Sequence, residues 1–298
     1  MSRTNLNDLA AFVAVGTEKS FTRAAAKLGV TPSALSHAMR NLEERLGVRL
    51  LTRSTRGVTT TEAGERFLFS LAPMFEEIDT QLSLLSEVRG KPAGTVRLTS
   101  DEHAARSILW PKLRSALREY PDIHLEIVID NGLTDIVVER FDAGVRAGDA
   151  IAKDMIAVPI GPEMRLIAVA APAYFTNSPV PLHPQDLLKH RCINLRLPTH
   201  GGLYVWEFEQ NGKELKVRVD GQLTFNSITS ILEATLEGFG IAHLPDTQVR
   251  PLIDSGRLVE VLADWAEPFA GYHLYYPSRR QATPAFKIIL DALRFRGS

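Results

Sequence analysis

The sequence predicts a multidomain α+β protein: a small helical N-terminal domain that ends in a β-hairpin, a long connecting helix, and a C-terminal body of two α/β lobes. Three observations predict this organisation. The chain has 298 residues, about twice a typical domain length. Residues 1–61 show helical periodicity, whereas strand and helix patterns alternate after residue 94. Between these segments, no helix breaker except Pro73 lies between Glu65 and Gly90.

The composition is that of a globular chain, with 45% hydrophobic and 23% charged residues, which argues against a disordered or fibrous protein. The single cysteine, Cys192, excludes an internal disulfide and any Cys₂ or Cys₄ zinc site. The longest apolar stretch near the start, residues 9–15, is too short to span a bilayer, and no export signal flanks it. We therefore expect a soluble, cytoplasmic protein.

The net charge of −1 is distributed unevenly. Residues 1–61 contain nine Lys or Arg and four Asp or Glu, a net charge of +5, which leaves −6 for the rest of the chain. A basic N-terminal segment on an otherwise acidic chain is expected when only that segment binds a polyanion such as nucleic acid.

A helix-turn-helix is predicted after a first helix that carries Leu6, Leu9 and Phe12. Ser20 suits the N-cap of a second helix over residues 21–28, and Gly29 supplies a left-handed turn residue. Thr31 and Pro32 suit the N-cap and first position of a third helix, so two helices meet at a tight turn. In the second helix, close approach of another helix is expected at Ala24, Ala25 and Ala26. In the third helix, the expected buried stripe consists of Leu35, Met39, Leu42 and Leu46.

A polar face runs along the third helix beside this stripe. Its members recur at i, i+3, i+4, i+7 and i+11 and are Ser33, Ser36, His37, Arg40 and Glu44. Hydroxyls, an imidazole and a guanidinium are the groups that read base edges or phosphates in a major groove. The alternative interpretation is a solvated face of an ordinary amphipathic helix.

A basic hairpin is predicted to follow. The β-prone segments 48–52 and 58–61 flank a turn that carries Arg53 and Arg56. Two arginines at the tip of a hairpin suit the adjacent minor groove, where the negative potential is deepest. The alternative is a surface hairpin with solvated arginines.

Residues 21–37, 42–53, Arg56 and 61–64 together resemble the N-terminal domain of LysR-type transcriptional regulators. The resemblance implies a winged helix-turn-helix, a sequence-specific regulator of transcription without enzymatic activity or cofactor, and RNA polymerase as a candidate partner. Carried over by position, the residues facing the major groove or lying in the wing are Thr31, Pro32, Ser33, Ser36, His37, Arg40, Arg53 and Arg56. The family often has Gln or Arg in place of His37, which bears on the bases that are read.

The connecting helix, residues 62–90, carries a heptad-like apolar seam. Its members are Leu71, Phe75, Ile78, Leu82 and Leu85. We expect Pro73 to kink or restart this helix. One interpretation is a helix packed on its own chain. The other is a dimer interface that sets the distance between two N-terminal domains on a pseudo-palindromic DNA site. The family resemblance favours the dimer, or a dimer of dimers.

Residues 91–298 read as a largely parallel α/β body. We expect strands over 95–100, 123–130, 142–146 and 241–244, helices over 103–120, 227–237 and 284–294, and a hairpin of strands 205–209 and 214–219 around Asn211-Gly212. Lobe I would comprise 91–165 and 268–298, and lobe II 166–267. This arrangement resembles the periplasmic-binding-protein-like body of LysR-type regulators, and segments 195–208 and 275–280 extend the resemblance over nearly the whole chain.

In such a body a small-molecule effector binds between the lobes. The matching positions are Ser100, Asp101, Glu102, His103, Asn131, Arg146, Arg196, His200, Tyr204, Trp206, Asn226 and Ser227. Arg146 and Arg196 could clamp a carboxylate, although arginines also pair within a domain and tryptophans are usually core. Asp101 and Glu102 either cap a helix or face the cleft, in which case they indicate an amine-bearing or zwitterionic effector.

Enzyme motifs and a metal site are not predicted. The sequence contains no G-x-S-x-G, H-E-x-x-H or P-loop pattern, and His124-Leu125-Glu126 lacks the paired cysteines of a zinc deaminase. The competing hypothesis is a small-molecule-binding or enzymatic α/β protein with an unrelated helical head. A lone cysteine in an apolar run is more often inert than a redox sensor.

Overall fold

The structure is a computed structural model that describes residues 5–54, 57–87, 92–132, 134–148, 155–197, 201–278 and 282–297. Its contacts divide the chain into two compact units. The first ends with the long helix, and the second begins with the strand that follows it.

The first unit is a three-helix domain with a hairpin and a long helix. Its elements are α1 (Leu6–Glu18), α2 (Phe21–Leu28), α3 (Pro32–Leu46), β1 (Leu51–Ser54), β2 (Gly57–Thr60) and α4 (Glu62–Glu87).

Local signals determine the helix ends here. The Ser20 hydroxyl accepts a hydrogen bond from the Arg23 amide at 3.3 Å, and the Thr31 hydroxyl accepts one from the Ala34 amide at 3.2 Å. Gly29 ends α2 in the left-handed region with φ +65°. The predicted helix-turn-helix is confirmed.

The core of this unit contains most of the predicted apolar residues. Ala24, Ala25 and the first three members of the α3 stripe are buried. Two expectations are wrong. Ala26 is exposed, and Leu46 in the last turn of α3 is 40% exposed, because the core ends one turn before the helix does.

The hairpin and α4 are joined closely to α3. Strands β1 and β2 pair antiparallel, with Leu51 opposite Thr60. The Glu43 carboxylate accepts hydrogen bonds from the backbone amides of Leu50 and Leu51 at 2.7 and 2.9 Å. Gly64 permits the close approach of α4, since a Cβ there would lie 2.0 Å from the Leu50 carbonyl oxygen.

The long helix α4 continues through Pro73 rather than restarting. Its first half packs on the domain core: the rings of Phe12 and Phe67 stack 5.5 Å apart, and Leu71 contacts the core. Beyond Pro73, Phe75 of the predicted seam is half-buried, whereas Ile78 is 46% and Leu82 60% exposed. The Leu85 side chain lies outside the described residues.

The second unit contains two lobes. The elements of lobe I that come first are β3 (Gly94–Ser100), α5 (Glu102–Ala104), a π-helical segment (Ala105–Leu109), α6 (Trp110–Glu119), β4 (Ile123–Ile129), β5 (Ala143–Ala147) and β6 (Met155–Pro159). Lobe II comprises β7 (Leu166–Ala170), β8 (Asn194–Leu195), β9 (Trp206–Gln210), β10 (Lys213–Val217), β11 (Thr224–Phe225), α7 (Ile228–Leu236), β12 (Ala242–Pro245), α8 (Asp246–Asp254) and β13 (Val259–Val261). The chain then returns to lobe I with β14 (Tyr272–Pro277) and α9 (Pro284–Leu293).

The lobe I sheet has the strand order β4-β3-β5-β14-β6. The expected parallel pairing holds for β4, β3 and β5. The returning strand β14 is antiparallel to both β5 and β6, because it comes back from lobe II, so the sheet is mixed. In lobe II, β12 and β13 flank β7 and both run antiparallel to it.

Two further expectations have clear outcomes. The Asn211-Gly212 hairpin is confirmed, with both turn residues at positive φ, 52° and 75°, as a tight hairpin turn requires. The helix expected over 103–120 contains the π-helical turn. Pro111 follows that turn and lacks an amide hydrogen. The regular α-helical pattern of backbone hydrogen bonds therefore cannot continue unchanged through Pro111.

Candidate functional site

The predicted major-groove face lies at the start of α3. Thr31, Pro32, Ser33, His37 and Arg40 are exposed, and Ser36 is half-buried. Thr31 Oγ1 lies 3.1 Å from Ser33 Oγ while it caps the helix. The face therefore begins at a capped helix N-terminus, where the free amides and the helix dipole favour an anion.

His37 is held in place by its own helix. Its Nδ1 lies 3.1 Å from the Asn41 side-chain nitrogen, one turn further along. When the Asn41 amide donates this hydrogen bond, the proton of the neutral imidazole is on Nε2. The outward-facing ring nitrogen is then a donor, suited to the acceptor atoms of a guanine edge or a phosphate.

Arg40 differs from Arg23, Lys27 and Arg45 in its ion pairs. Arg23 and Lys27 both pair with Glu18, at 3.7 and 3.4 Å, and Arg45 pairs with Asp8. Arg40 forms no ion pair with any residue that the structure describes. Its charge is therefore available to a partner.

The wing is described only in part. The backbone of Arg53 lies in β1 opposite Val58, but its side chain and the whole of Arg56 lie outside the described residues. The Thr61 hydroxyl donates to the Arg49 carbonyl at 2.7 Å and accepts from the Gly64 amide at 3.0 Å. The base of the hairpin is therefore tied to the start of α4.

The body contains a cavity of about 700 Å³ between its lobes. Four of the predicted effector-binding residues line it: Asp101, Asn131, Arg196 and Tyr204. His200 lies outside the described residues. The other predicted residues do not line this cavity.

A buried polar chain lies under the cavity floor. Tyr272 donates to Asp101 Oδ1 at 3.1 Å and contacts His103 Nδ1 at 2.9 Å. The other ring nitrogen of His103 meets Thr247 Oγ1 of lobe II at 3.1 Å. Burial lowers the pKa of His103, although the Asp101 carboxylate opposes this shift. Asp101 also caps α5 through the Ala104 amide at 2.7 Å.

Arg146 is used inside its own lobe. Its guanidinium donates to the carbonyl oxygens of Val145, Asp130 and Gly132 at 2.7, 3.0 and 2.5 Å. These bonds hold the turn that places Asn131. In this conformation the Arg146 guanidinium does not face the cavity. The suggested clamp of Arg146 and Arg196 on a ligand carboxylate therefore loses Arg146. Ser100, which is fully buried, donates to the Asp101 carbonyl at 3.1 Å.

Trp206 is a core residue rather than a cavity wall. It is 1% exposed, and its ring lies 5.2 Å from that of His243. His243 does line the cavity, and its Nδ1 is buried without a hydrogen-bond partner in the described structure. Burial lowers the pKa of His243 to about 4. Tyr204, whose ring stacks 6.4 Å from that of His243, has its pKa raised mainly by burial.

Sequence reasoning missed Tyr272, His243 and Phe269, which also line the cavity. Tyr272 and His243 lie on strands that read as ordinary core strands, and only the pairing of those strands brings the side chains to the cavity. No local signal could have found them.

Glu102, Asn131 and Ser227 connect the lobes. Glu102 of lobe I accepts hydrogen bonds from the hydroxyls of Ser227 and Thr229 at 2.9 and 2.6 Å. Asn131 accepts from the Glu102 amide at 3.1 Å and donates to the Asn226 carbonyl at 2.7 Å. The residues predicted to bind an effector here are therefore already hydrogen-bonded to one another.

Within the described ranges, no group of three or more His, Cys, Asp or Glu side chains is arranged to hold a metal ion. Among the same residues, no helix has both the length and the apolar character needed to cross a membrane.

Comparison with known proteins covers both units. A family described as "Bacterial regulatory helix-turn-helix protein, lysR family" matches residues 6–65, and one described as "LysR substrate binding domain" matches residues 89–297.

Full-length relatives carry the same two parts. A Pseudomonas aeruginosa PAO1 protein described as a transcriptional regulator is 55% identical over 295 residues, covering 99% of this chain and 96% of its own. The HTH-type transcriptional regulator PgrR of Escherichia coli K12 is 47% identical over 298 residues and is covered completely, as is this chain. The full-length structure of AphB, a virulence activator of Vibrio cholerae, matches with a TM-score of 0.65 and 26% identity, covering 97% of this chain and 98% of that one.

Proposed function

The chain belongs to the LysR family of DNA-binding transcriptional regulators, and from this premise we propose that α3 reads an operator while a small molecule in the interlobe cavity controls the DNA-bound state. The family and its full-length relatives are regulators rather than enzymes. The competing hypothesis of an enzymatic body with an unrelated head therefore loses its basis.

The single observation that carries the proposal for DNA is the exposed polar face of α3. Ser33, Ser36, His37 and Arg40 would enter the major groove, with the helix N-terminus at Thr31 and Pro32 facing a phosphate. Arg40, which has no ion-pair partner among the described residues, can contact a guanine edge or the backbone without breaking an existing pair.

The wing completes the proposed interface. The hairpin β1–β2 is tied to α3 through Glu43, so that docking of α3 also fixes the position of the hairpin. Arg53 and Arg56 are proposed to contact the adjacent minor groove.

A second copy of the chain is proposed to cover the α4 seam. Ile78 and Leu82 are too exposed for an apolar stripe that packs only on its own chain. A two-fold dimer would present two α3 helices to a pseudo-palindromic site, with α4 setting their separation. A dimer of dimers is the larger form of the same assembly.

The effector is proposed to act through the lobes. A ligand that binds one lobe arrangement better than another shifts the population toward it, and this changes the geometry of the assembly on DNA. RNA polymerase is the proposed downstream partner, and the cytoplasm the proposed compartment.

Operator binding tests the proposal. DNA fragments upstream of the chain's own and adjoining genes would be footprinted with the full-length protein. On the protected site, His37→Ala should weaken binding by about 5- to 150-fold, the equivalent of one lost base contact of about 1–3 kcal/mol. Arg40→Ala should also lower the salt slope by about one unit if Arg40 contacts a phosphate.

Arg118→Ala is the matched control, because Arg118 is an exposed arginine on α6 of the body and its loss changes the net charge equally. Its affinity should equal that of the wild type. If no fragment is protected, or if both α3 variants bind as tightly as the control, the proposed DNA interface is wrong.

A further inference from the structure

The Glu102 side chain crosses from lobe I to the start of α7 in lobe II. Glu102 Oε2 accepts from Ser227 Oγ at 2.9 Å, and Oε1 accepts from Thr229 Oγ1 at 2.6 Å. The backbone amide of Thr229 faces the same carboxylate. Ser227 is the N-cap of α7, so the carboxylate sits on the positive end of a nine-residue helix.

An arginine completes the set of donors around this carboxylate. Arg106 Nη1 donates to Thr229 Oγ1 at 3.1 Å and lies 4.0 Å from Glu102 Oε1. Two hydroxyls, one backbone amide and one guanidinium thus surround the carboxylate, the donor chemistry by which proteins bind a free carboxylate or phosphate. Here the chain fills the position with its own side chain.

The remaining polar lining of the cavity is rich in carboxylates. The acidic residues that line it are Asp101, Glu207, Glu209, Glu214 and Glu267, and the basic ones are Arg196 and Lys216. Each of these cations already has one hydrogen-bond partner. Arg196 donates to the Gly201 carbonyl at 2.5 Å, and Lys216 pairs with Glu207 at 2.6 Å.

The Asp101 carboxylate in the cavity lining retains acceptor capacity. Both hydrogen bonds to Asp101 are made at Oδ1, which leaves Oδ2 without a partner among the described residues. The rest of the lining includes Met164, Leu166, Ile228 and Phe269, an apolar surface of the kind that binds the body of a small ligand.

We infer that Glu102 is a tethered anion that fills the donor site at the start of α7, beside the cavity that the adjacent Ile228 and Asn131 line, and that the cavity consequently selects a ligand with an amino group and an apolar body over one recognised through a carboxylate or phosphate. This inference rests on the proposed function in taking the interlobe cavity as the effector site. Glu102 is a positioning residue, because it holds the lobes and excludes an anion without itself requiring contact with the ligand.

Chemical rescue tests the role of Glu102. In full-length Glu102→Ala the donors around α7 lose their anion, and the melting temperature should fall. Sodium acetate at about 100 mM should regain roughly half of the loss relative to sodium chloride of equal ionic strength, because a ligand that binds only the folded state stabilises it. The wild type should show no such difference.

Two control variants make the rescue specific. Glu126→Ala removes a carboxylate that pairs with Arg97 inside lobe I at 2.9 Å, so acetate should not rescue it. Adding Thr229→Val to Glu102→Ala removes one donor from the α7 site and should weaken the rescue. Equal responses of Glu102→Ala and Glu126→Ala to acetate would overturn the tethered anion.

A matched ligand pair tests the selected class on the wild type and does not depend on any variant folding. Phenethylamine at about 10 mM should raise the melting temperature more than 3-phenylpropionate, which has a similar apolar body and the opposite charge. A larger response to the acid, or no response to the amine, overturns the inferred class. Neither measurement uses DNA, so their failure is distinguishable from failure of the proposed operator binding.

Discussion

Glu43 of α3 accepts a hydrogen bond from the backbone amide of Leu50 at 2.7 Å. A second bond from Leu51 at 2.9 Å goes to the same oxygen. These two bonds join the helix proposed to read DNA to the strand that leads into the wing. Charge-assisted bonds of this kind are stronger and more directional than neutral ones, so the two proposed DNA-contacting elements are fixed relative to each other.

Glu43→Ala should loosen this junction. Two largely buried amides would lose their acceptor, at a cost of about 1–3 kcal/mol. Hydrogen exchange of the Leu50 and Leu51 amides should accelerate by about 5- to 150-fold, and operator affinity should fall with it. Glu44→Ala, at the exposed neighbouring position, should leave the exchange of both amides unchanged. Unchanged exchange at these amides in Glu43→Ala would show that the hairpin is held by other contacts.

Gly64→Ala should destabilise the N-terminal unit. Its Cβ would lie 2.0 Å from the Leu50 carbonyl oxygen, which also accepts from the Thr61 amide at 2.9 Å. The start of α4 must move away, at a cost of about 1–3 kcal/mol. Urea unfolding followed by circular dichroism would measure this. Gly202→Ala, where a Cβ would meet nothing within 4 Å, is the control and should be nearly neutral.

His243 should make the stability of the body depend on pH. Burial lowers the pKa of this imidazole to about 4, against a weaker opposing effect of the Leu166 backbone. The unfolded chain therefore binds a proton at higher pH than the folded one. The stabilisation is fully present above about pH 6.5 and is lost as the pH falls toward 4, by about 3 kcal/mol.

Urea midpoints between pH 7.5 and 4.5 would measure this dependence. His103 and His190, whose pKa values are also lowered mainly by burial, contribute in the same direction. The test therefore compares the pH dependence of the urea midpoint between variants. His243→Phe should reduce the pH dependence of the unfolding free energy by the equivalent of about one bound proton. His124→Gln, at an exposed position, should leave this dependence unchanged. A slope equal to that of the wild type in His243→Phe would contradict the prediction.

Cys192 should be chemically inert in the folded protein. It is 1% exposed, and burial, with a smaller effect of Asp220, raises the pKa of its thiol to about 12. The thiolate is the reactive form. A disulfide reagent should therefore label the native protein negligibly and the urea-unfolded protein at one thiol per chain. Rapid labelling of the native protein would revive the redox hypothesis.

The DNA-binding unit could be predicted well because its signals are local. Ser20, Gly29 and the Thr31-Pro32 pair each act within one turn of chain, through caps and backbone conformations that depend on neighbouring residues. The Asn211-Gly212 hairpin was predictable for the same reason. The apolar stripe of α3 was predicted except at Leu46, since periodicity gives the direction of a face but not where the core ends.

The body was harder because its decisive contacts are far apart in sequence. The antiparallel placement of β14, the burial of Trp206, and the use of Arg146 on three backbone carbonyls follow from how distant segments pair. No pattern within a short window contains that information.

Sequence by itself determined a basic helical head with a capped, polar-faced third helix and an α/β remainder, since periodicity, caps and turn residues act over a few positions. Only the tertiary structure decided that Glu102 reaches Ser227, 125 residues away, and that Asp101 and Tyr272 meet at the cavity floor. Such pairs form when two lobes fold against each other, and the free energy that selects them comes from burial and hydrogen bonding between distant segments.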